Sequence, residues 1–264
     1  MLRSCIGFAV VSALVAMTFA ADLANTDPVI EAARKAAAEF TRSLPNYIVQ
    51  RTTTRFQGVR ATATTAGESA GKWRALDIVT ADVVAENDTE VLLNVRLNGK
   101  PAKDVEQSGS WSAGEFSSTL AAILSPESAA QFSKQRATTL EDHPAYRYDY
   151  AIDQAHSRWH LSTGGPVYTP AYGGEIWIDK ETSRVLRIEM TARDLPPGLP
   201  LDTVASEVDY GFVTIGGEKY LLPKYSDSLN CERGRTICQK NVTEFQNYRK
   251  YSAESSLSFD ETPN

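Results

Sequence analysis

After Tyr146 the chain is a succession of short β-rich segments joined by mostly short connections that favour antiparallel pairing. A parallel neighbour needs a crossover of a dozen or more residues, usually a helix, and the connections between these segments read as turns and irregular loops with no helix among them. The strands are expected near 146–152, 158–162, 175–179, 185–192, 204–215, 219–226, 237–248 and 252–259. Gly216–Gly217 supplies a two-residue hairpin turn. The 195–200 stretch, Leu-Pro-Pro-Gly-Leu-Pro, is an irregular loop because proline forfeits ladder bonds.

Upstream the pattern is mixed. Thr26 or Asp27 caps a helix with Pro28 at its first position. Ile30, Ala33, Ala37 and Phe40 follow at helical spacing, and Pro45 stops the helix. Strands are expected over 47–56, 73–86 and 90–97, the last closed by Asn98–Gly99. Ser112-Ala-Gly-Glu115 reads as a capping box ahead of Phe116, Leu120, Ile123 and Leu124. Ser125-Pro-Glu127 starts a second short helix that turns Ala129, Ala130 and Phe132 to the core. The fold class is therefore α+β. About ten antiparallel strands will curl into a half-barrel, with an N-terminal helix and two short inserted helices over its concave face.

The first residues stand apart. Arg3 precedes an apolar run from Cys5 to Ala20, with Thr18 and Ala20 as the small residues of a cleavage site. Residues 1–20 read as a secretory signal peptide cleaved near Ala20. Residues 21–264 read as a single domain of a periplasmic or secreted protein, with no transmembrane segment in the mature chain. Losing Arg3 and no acid moves the formal charge from −6 to −7. A net negative chain without basic clusters has no footprint for nucleic acid. Cys5 leaves with the leader, and it precedes the apolar run, so it marks no lipid anchor. Cys231 and Cys238 flank a six-residue polar loop with a central Gly. In an oxidising compartment the expectation is a disulfide across a hairpin tip. The rival is a metal pair, a poor one for two thiolates with no His beside them.

The residues offer little to a catalyst. His156 and His160 have H-x-x-x-H spacing, but on a strand they stand about 13 Å apart, too far for one metal. Ser69-Ala-Gly-Lys72 matches S-x-x-K without its partner motifs. G-x-S-x-G is absent. No cofactor or metal is expected, and the protein is read as a non-enzyme. A hydrolase built on Ser69 or His160 is the minor alternative. Asn87 and Asn241 begin glycosylation sequons, a short and common motif.

Several blocks resemble a family of uncharacterised secreted bacterial proteins. They are Ser43-Leu-Pro-Asn-Tyr47, Asn98-Gly-Lys-Pro101, the segment 112–116, Gly174-Glu-Ile-Trp-Ile-Asp179, 185–189, Tyr220-Leu-Leu-Pro223, the two cysteines and Phe245-Gln-Asn-Tyr-Arg249. The order of elements is also similar to the half-barrel of periplasmic lipoprotein carriers and sorting factors, the LolA-like superfamily. That resemblance implies an acyl chain or other apolar ligand held between a curved sheet and covering helices. Its liners are expected to be Trp73, Ile78, Leu92, Phe116, Leu120, Trp177 and Ile188, taken from strand and helix position. The competing expectation is an envelope adaptor or sensor that binds a protein partner through sheet edges or the 194–203 loop.

Overall fold

The computed structural model describes residues 27–60, 73–86, 89–103, 105, 109, 111 and 116–251. The leader, Ser69, Asn87, the capping box 112–115 and the strand expected at 252–259 lie outside them.

Helix α1 spans Pro28–Ser43. Asp27 caps it, its Oδ1 accepting from the Val29 amide at 2.9 Å. The apolar stripe is laid inward: Ile30, Ala33 and Phe40 are buried. The helix stops because Pro45 forces the residue before it out of the helical region, and Leu44 is extended.

Eleven strands follow: β1 (Tyr47–Val59), β2 (Arg74–Glu86), β3 (Thr89–Leu97), β4 (Lys100–Pro101), β5 (Gln131–Leu140), β6 (His143–Ile152), β7 (Ala171–Asp179), β8 (Val185–Arg193), β9 (Leu201–Ile215), β10 (Glu218–Glu232) and β11 (Ile237–Lys250). They form one open antiparallel sheet in the order β4-β3-β2-β1-β11-β10-β9-β8-β7-β6-β5. All neighbours are consecutive in the chain except β1 and β11, whose pairing joins the two ends of the meander. Thr53 and Thr243, 190 residues apart, share a buried hydroxyl bond of 2.9 Å there. The tight turns follow local chemistry. Asn98–Gly99 and Gly216–Gly217 hold positive φ at both central residues, as a two-residue hairpin requires.

Between β4 and β5 sits helix α2 (Ser117–Leu124), then one 3-10 turn over Pro126–Ser128. This corrects the second inserted helix. The turn ends on Ala129 in the left-handed region, and the chain enters β5 instead. β5 packs Phe132 and Leu140 against the core but is otherwise mostly exposed, an edge strand carrying a bulge and two exposed cations, Lys134 and Arg136, where a bare edge would recruit other strands. The strand expected at 158–162 is also corrected. There the chain forms only an isolated bridge, Leu161 with Tyr168. Trp159 leaves the sheet to stack edge-on against Tyr172, with ring centroids 5.6 Å apart.

Cys231 and Cys238 face each other across β10 and β11 and are disulfide-bonded. Both are buried. Among the described residues no helix is long and apolar enough to cross a membrane.

Candidate functional site

The two helices and the curved sheet define an inner face, and that face has two characters. Under α1 and α2 it is apolar, built from Ile176, Ile178, Ile188, Val208 and Leu222 with the rings of Tyr148, Tyr172 and Tyr210. Two tyrosines tether the cover. Tyr148 Oη donates to the Asp27 carboxylate at 2.8 Å, and Tyr172 Oη donates to the Ala122 carbonyl at 3.2 Å. Burial and the neighbouring Asp27 carboxylate push the Tyr148 hydroxyl well above the usual phenol range. It is therefore a donor at any physiological pH.

At the β1–β2–β11 end the inner face is polar yet buried. Arg51, Thr53, Arg55, Asn241, Thr243 and Ser226 all sit there out of solvent. Arg55 grips Asp77 with two parallel bonds, Nε to Oδ1 at 2.6 Å and Nη2 to Oδ2 at 2.8 Å, and a third nitrogen reaches the Val105 carbonyl at 3.3 Å. The Arg51 guanidinium lies over Trp111, 4.2 Å from its ring centre. Buried Asn241 is no acceptor for a glycan.

In place of one continuous oily hollow, the described inner face is filled by its own side chains. Between α1, α2 and the sheet remains a cavity of about 20 Å³, lined by Ala33, Ala36, Ala37, Phe40, Leu120, Arg184, Val185, Tyr210 and Leu221. That is room for a water or two, whereas ligand pockets run to roughly 300–1,000 Å³.

The expected liners divide. Leu92, Phe116, Leu120 and Ile188 pack into the inner core, and of these Leu120 reaches the cavity. Trp73, Ile78 and Trp177 lie on the other side of the sheet. Trp177 is directly opposite Arg147 on β6 and Arg187 on β8 and lies between their guanidinium groups, each 5.8 Å from its ring. Ile78 is exposed on β2. Trp73 stacks against Gly58, where an added Cβ would meet its ring at 2.7 Å, and Lys240 lies 5.1 Å from the indole. Apolar runs such as Ile176-Trp177-Ile178 carry no alternation, so their register is invisible until neighbouring strands are placed. Ala33 and Ala37 lie on the stripe already legible in the helical spacing of α1, and Ala36 lies beside it. Arg184, Tyr210 and Leu221 had no comparable signal.

The outer face is an ion ladder. Asp149 is bonded by Lys134 at 2.8 Å and Arg136 at 2.6 Å, and the Lys134 bond holds its carboxyl below the usual range. Glu175 meets Arg147 at 3.3 Å, and Arg187 binds Asp209 through Nε and, at 2.7 Å, Nη2. Burial, then the charge of Glu175, pushes Glu189 above the usual carboxylate range, and burial does the same for Glu207 and Asp227. A carboxyl raised on folding favours the folded state when protonated. Its contribution is complete below the unfolded pKa and is lost as pH rises through the folded one. Glu189→Gln is therefore expected to raise the melting temperature at neutral pH and to leave a smaller gain on acidification toward the carboxylate range. Thermal unfolding across that window checks it, and an unchanged pH slope in the variant would refute the assignment.

The histidines form no site. His156 Nδ1 bonds Asp153 at 2.8 Å and His160 Nδ1 bonds Thr169 at 3.0 Å, each on an exposed turn. Among the described residues no group of three or more His, Cys, Asp or Glu side chains could hold a metal ion.

No family model and no curated protein matches the chain. Among solved structures it is similar to a DUF1329 family protein from Desulfovibrio piger, at 11% identity and a TM-score of 0.38, over 88% of this chain and 96% of that one.

Proposed function

We propose that the protein is an exported, non-enzymatic binder of an apolar or singly charged amphiphilic ligand, seated between α1 and the β8–β10 surface. The observation that carries this reading is the composition of the cavity. Three alanines of α1 face Leu120, Val185 and Leu221, and Arg184, which has no carboxylate partner among the described residues, is the one cation in the lining. The ligand's chain would replace helix contacts made mainly by methyl groups, and each buried methylene contributes about 0.8 kcal/mol. An acidic headgroup would meet Arg184. The seat is closed in this conformation, so binding requires α1 to shift outward. α1 is held by the 44–46 connection at one end and by the Asp27–Tyr148 bond at the other. Cleavage near Ala20 would place this binder in the periplasm or outside the cell.

Delipidated protein titrated with a fluorescent fatty acid tests the reading. Saturable binding is expected, and Ala36→Phe, which fills the cavity, is expected to weaken it by about tenfold or more. No saturable binding, or full affinity in Ala36→Phe, would refute it.

A second reading, an adaptor for an envelope protein, is favoured by the 194–200 loop. Arg233 donates to the carbonyls of Leu195, Pro196, Leu199 and Leu201, at 2.9–3.2 Å, and so holds that loop in one shape. Capture of an envelope partner that is lost in Cys231→Ser, with fatty-acid binding retained, would favour it.

A further inference from the structure

We propose that the free wing of the sheet, β2 to β4, is a docking surface for an anionic lipid bilayer. Seven large apolar side chains are exposed among the described residues, and five of them lie in β1–β3: Val59, Leu76, Ile78, Val91 and Leu93. Scattered exposed apolar residues need no explanation, but a cluster of them does. Ile78, Leu93 and Val91 share the outer face, since Ile78 has the strand parity of Asp82 and Val84, which lie opposite Leu93 and Val91. With exposures of 45%, 45% and 48%, aliphatic groups here stand uncovered among the described residues instead of under a charge ladder.

Charge selects the occupant. The wing is polarised along its length. At its tip stand Arg74, Arg96, Lys100 and Lys103, all exposed, and none has a carboxylate partner among the described residues. Arg96 instead donates to the Gly99 carbonyl at 3.1 Å. The described acid of that end, Asp77, is turned to the inner face and held by Arg55. Of the remaining described acids of the wing, Asp82 lies opposite Leu93 and accepts from Asn94 Nδ2 at 2.8 Å, while Glu86 and Glu90 lie toward the other end. Glu86 is eight residues from Ile78 along β2. That is about 26 Å at the strand rise, well beyond the roughly 8–10 Å screening length of physiological salt.

Ile78 is fixed beside the cations: its amide donates to Asn98 Oδ1 at 3.0 Å and its carbonyl accepts from the Asn98 amide at 2.8 Å, which seats the Asn98–Gly99 turn against it. Trp73 immediately precedes the same strand. Exposed aliphatics, a flanking indole and four cations without a carboxylate partner among the described residues, on a chain whose net charge is negative, match the layers of a bilayer surface: acyl boundary, interface and acidic headgroups.

Flotation of the full chain with vesicles tests this. The protein is expected to float with vesicles of phosphatidylglycerol in phosphatidylcholine, to stay behind with phosphatidylcholine alone, and to be released by added salt. Each cation at an anionic surface contributes about fivefold in affinity. Arg96→Gln with Lys100→Gln should therefore weaken binding about thirtyfold. Ile78→Asp should abolish it, while Val167→Asp, an exposed apolar residue elsewhere, should bind as the wild type does. The idea is overturned if the wild type does not float with the anionic vesicles, or if both wing variants float unchanged. A dimer that Leu93→Asp dissolves, without vesicle binding, would assign the wing to a second copy and overturn it too. The salt dependence is read on the wild type, so a variant that fails to fold leaves the test in force. Flotation reads the wing and fatty-acid titration reads the α1 cavity, so the failure of either is distinguishable from the failure of the other.

Discussion

Replacing Asp77 by Ala is expected to lower the stability of the protein by about 3–5 kcal/mol, the range for removing one partner of a buried ion pair. Arg55 has only 4% of its side chain exposed. Its two bonds to Asp77 are the bidentate kind that is both stronger and more directional than a single contact. The guanidinium cannot discharge itself, because arginine stays protonated in proteins. With the carboxylate gone, the two nitrogens that it bonded must draw water into the inner face between β1 and β2. Val105 accepts one of the Arg55 bonds, and Gly109 lies where an added Cβ would come within 2.6 Å of an Arg55 nitrogen. Urea unfolding measures the loss. The companion variant, Arg55→Met with Asp77→Leu, removes both charges and should recover most of it. A single-variant cost below about 1 kcal/mol, the range of an exposed surface pair, would show that this bridge holds nothing together.

Phe116→Ala is expected to cost a similar amount, about 3–5 kcal/mol. Phe116 is buried at the entry to α2 and sits on the seam where the two ends of the sheet meet. Its ring is 5.0 Å from Phe245 of β11, edge-on, and 5.9 Å from Tyr47 of β1. Removing it opens a cavity that neither strand can close, because both are locked in register by their mutual pairing. Phe116→Leu should restore much of the loss by refilling the space. There is a second readout. Burial, then the charge of Glu90, pushes the Tyr47 hydroxyl far above the usual phenol value. Absorbance titration of Phe116→Ala should therefore show one more tyrosine ionising in the ordinary range. An unchanged titration and a stability loss under about 1 kcal/mol would place Phe116 outside the core.

What was legible in the residues was local. Asp27-Pro28 announced the start of α1, and Asn98–Gly99 and Gly216–Gly217 announced their hairpins, because each signal acts over three or four residues. The turn at Glu141–Asp142 also needs positive φ at both residues, and it carried no such mark because neither is a glycine. β5 was missed for a related reason. Gln131–Leu140 is an edge strand exposed over most of its length, and its middle lacks the alternation that identifies a half-buried strand. Its pairing to β6 comes from the hairpin and from cross-strand bonds such as Arg136 to Asp149, not from any apolar pattern.

The sequence by itself determined an antiparallel α+β chain with an amphipathic first helix and a cysteine pair placed to close one hairpin, since turns, caps and periodicity are properties of neighbours along the backbone. Only the tertiary structure decided that β1 lies beside β11, that Trp177 and Ile78 point away from the helices while Ile188 points toward them, and that the concave face is nearly full. A strand's side chains divide between two faces with a period of two, so one residue of register exchanges the buried set for the exposed set. That register is settled by partners as distant as Thr53 and Thr243.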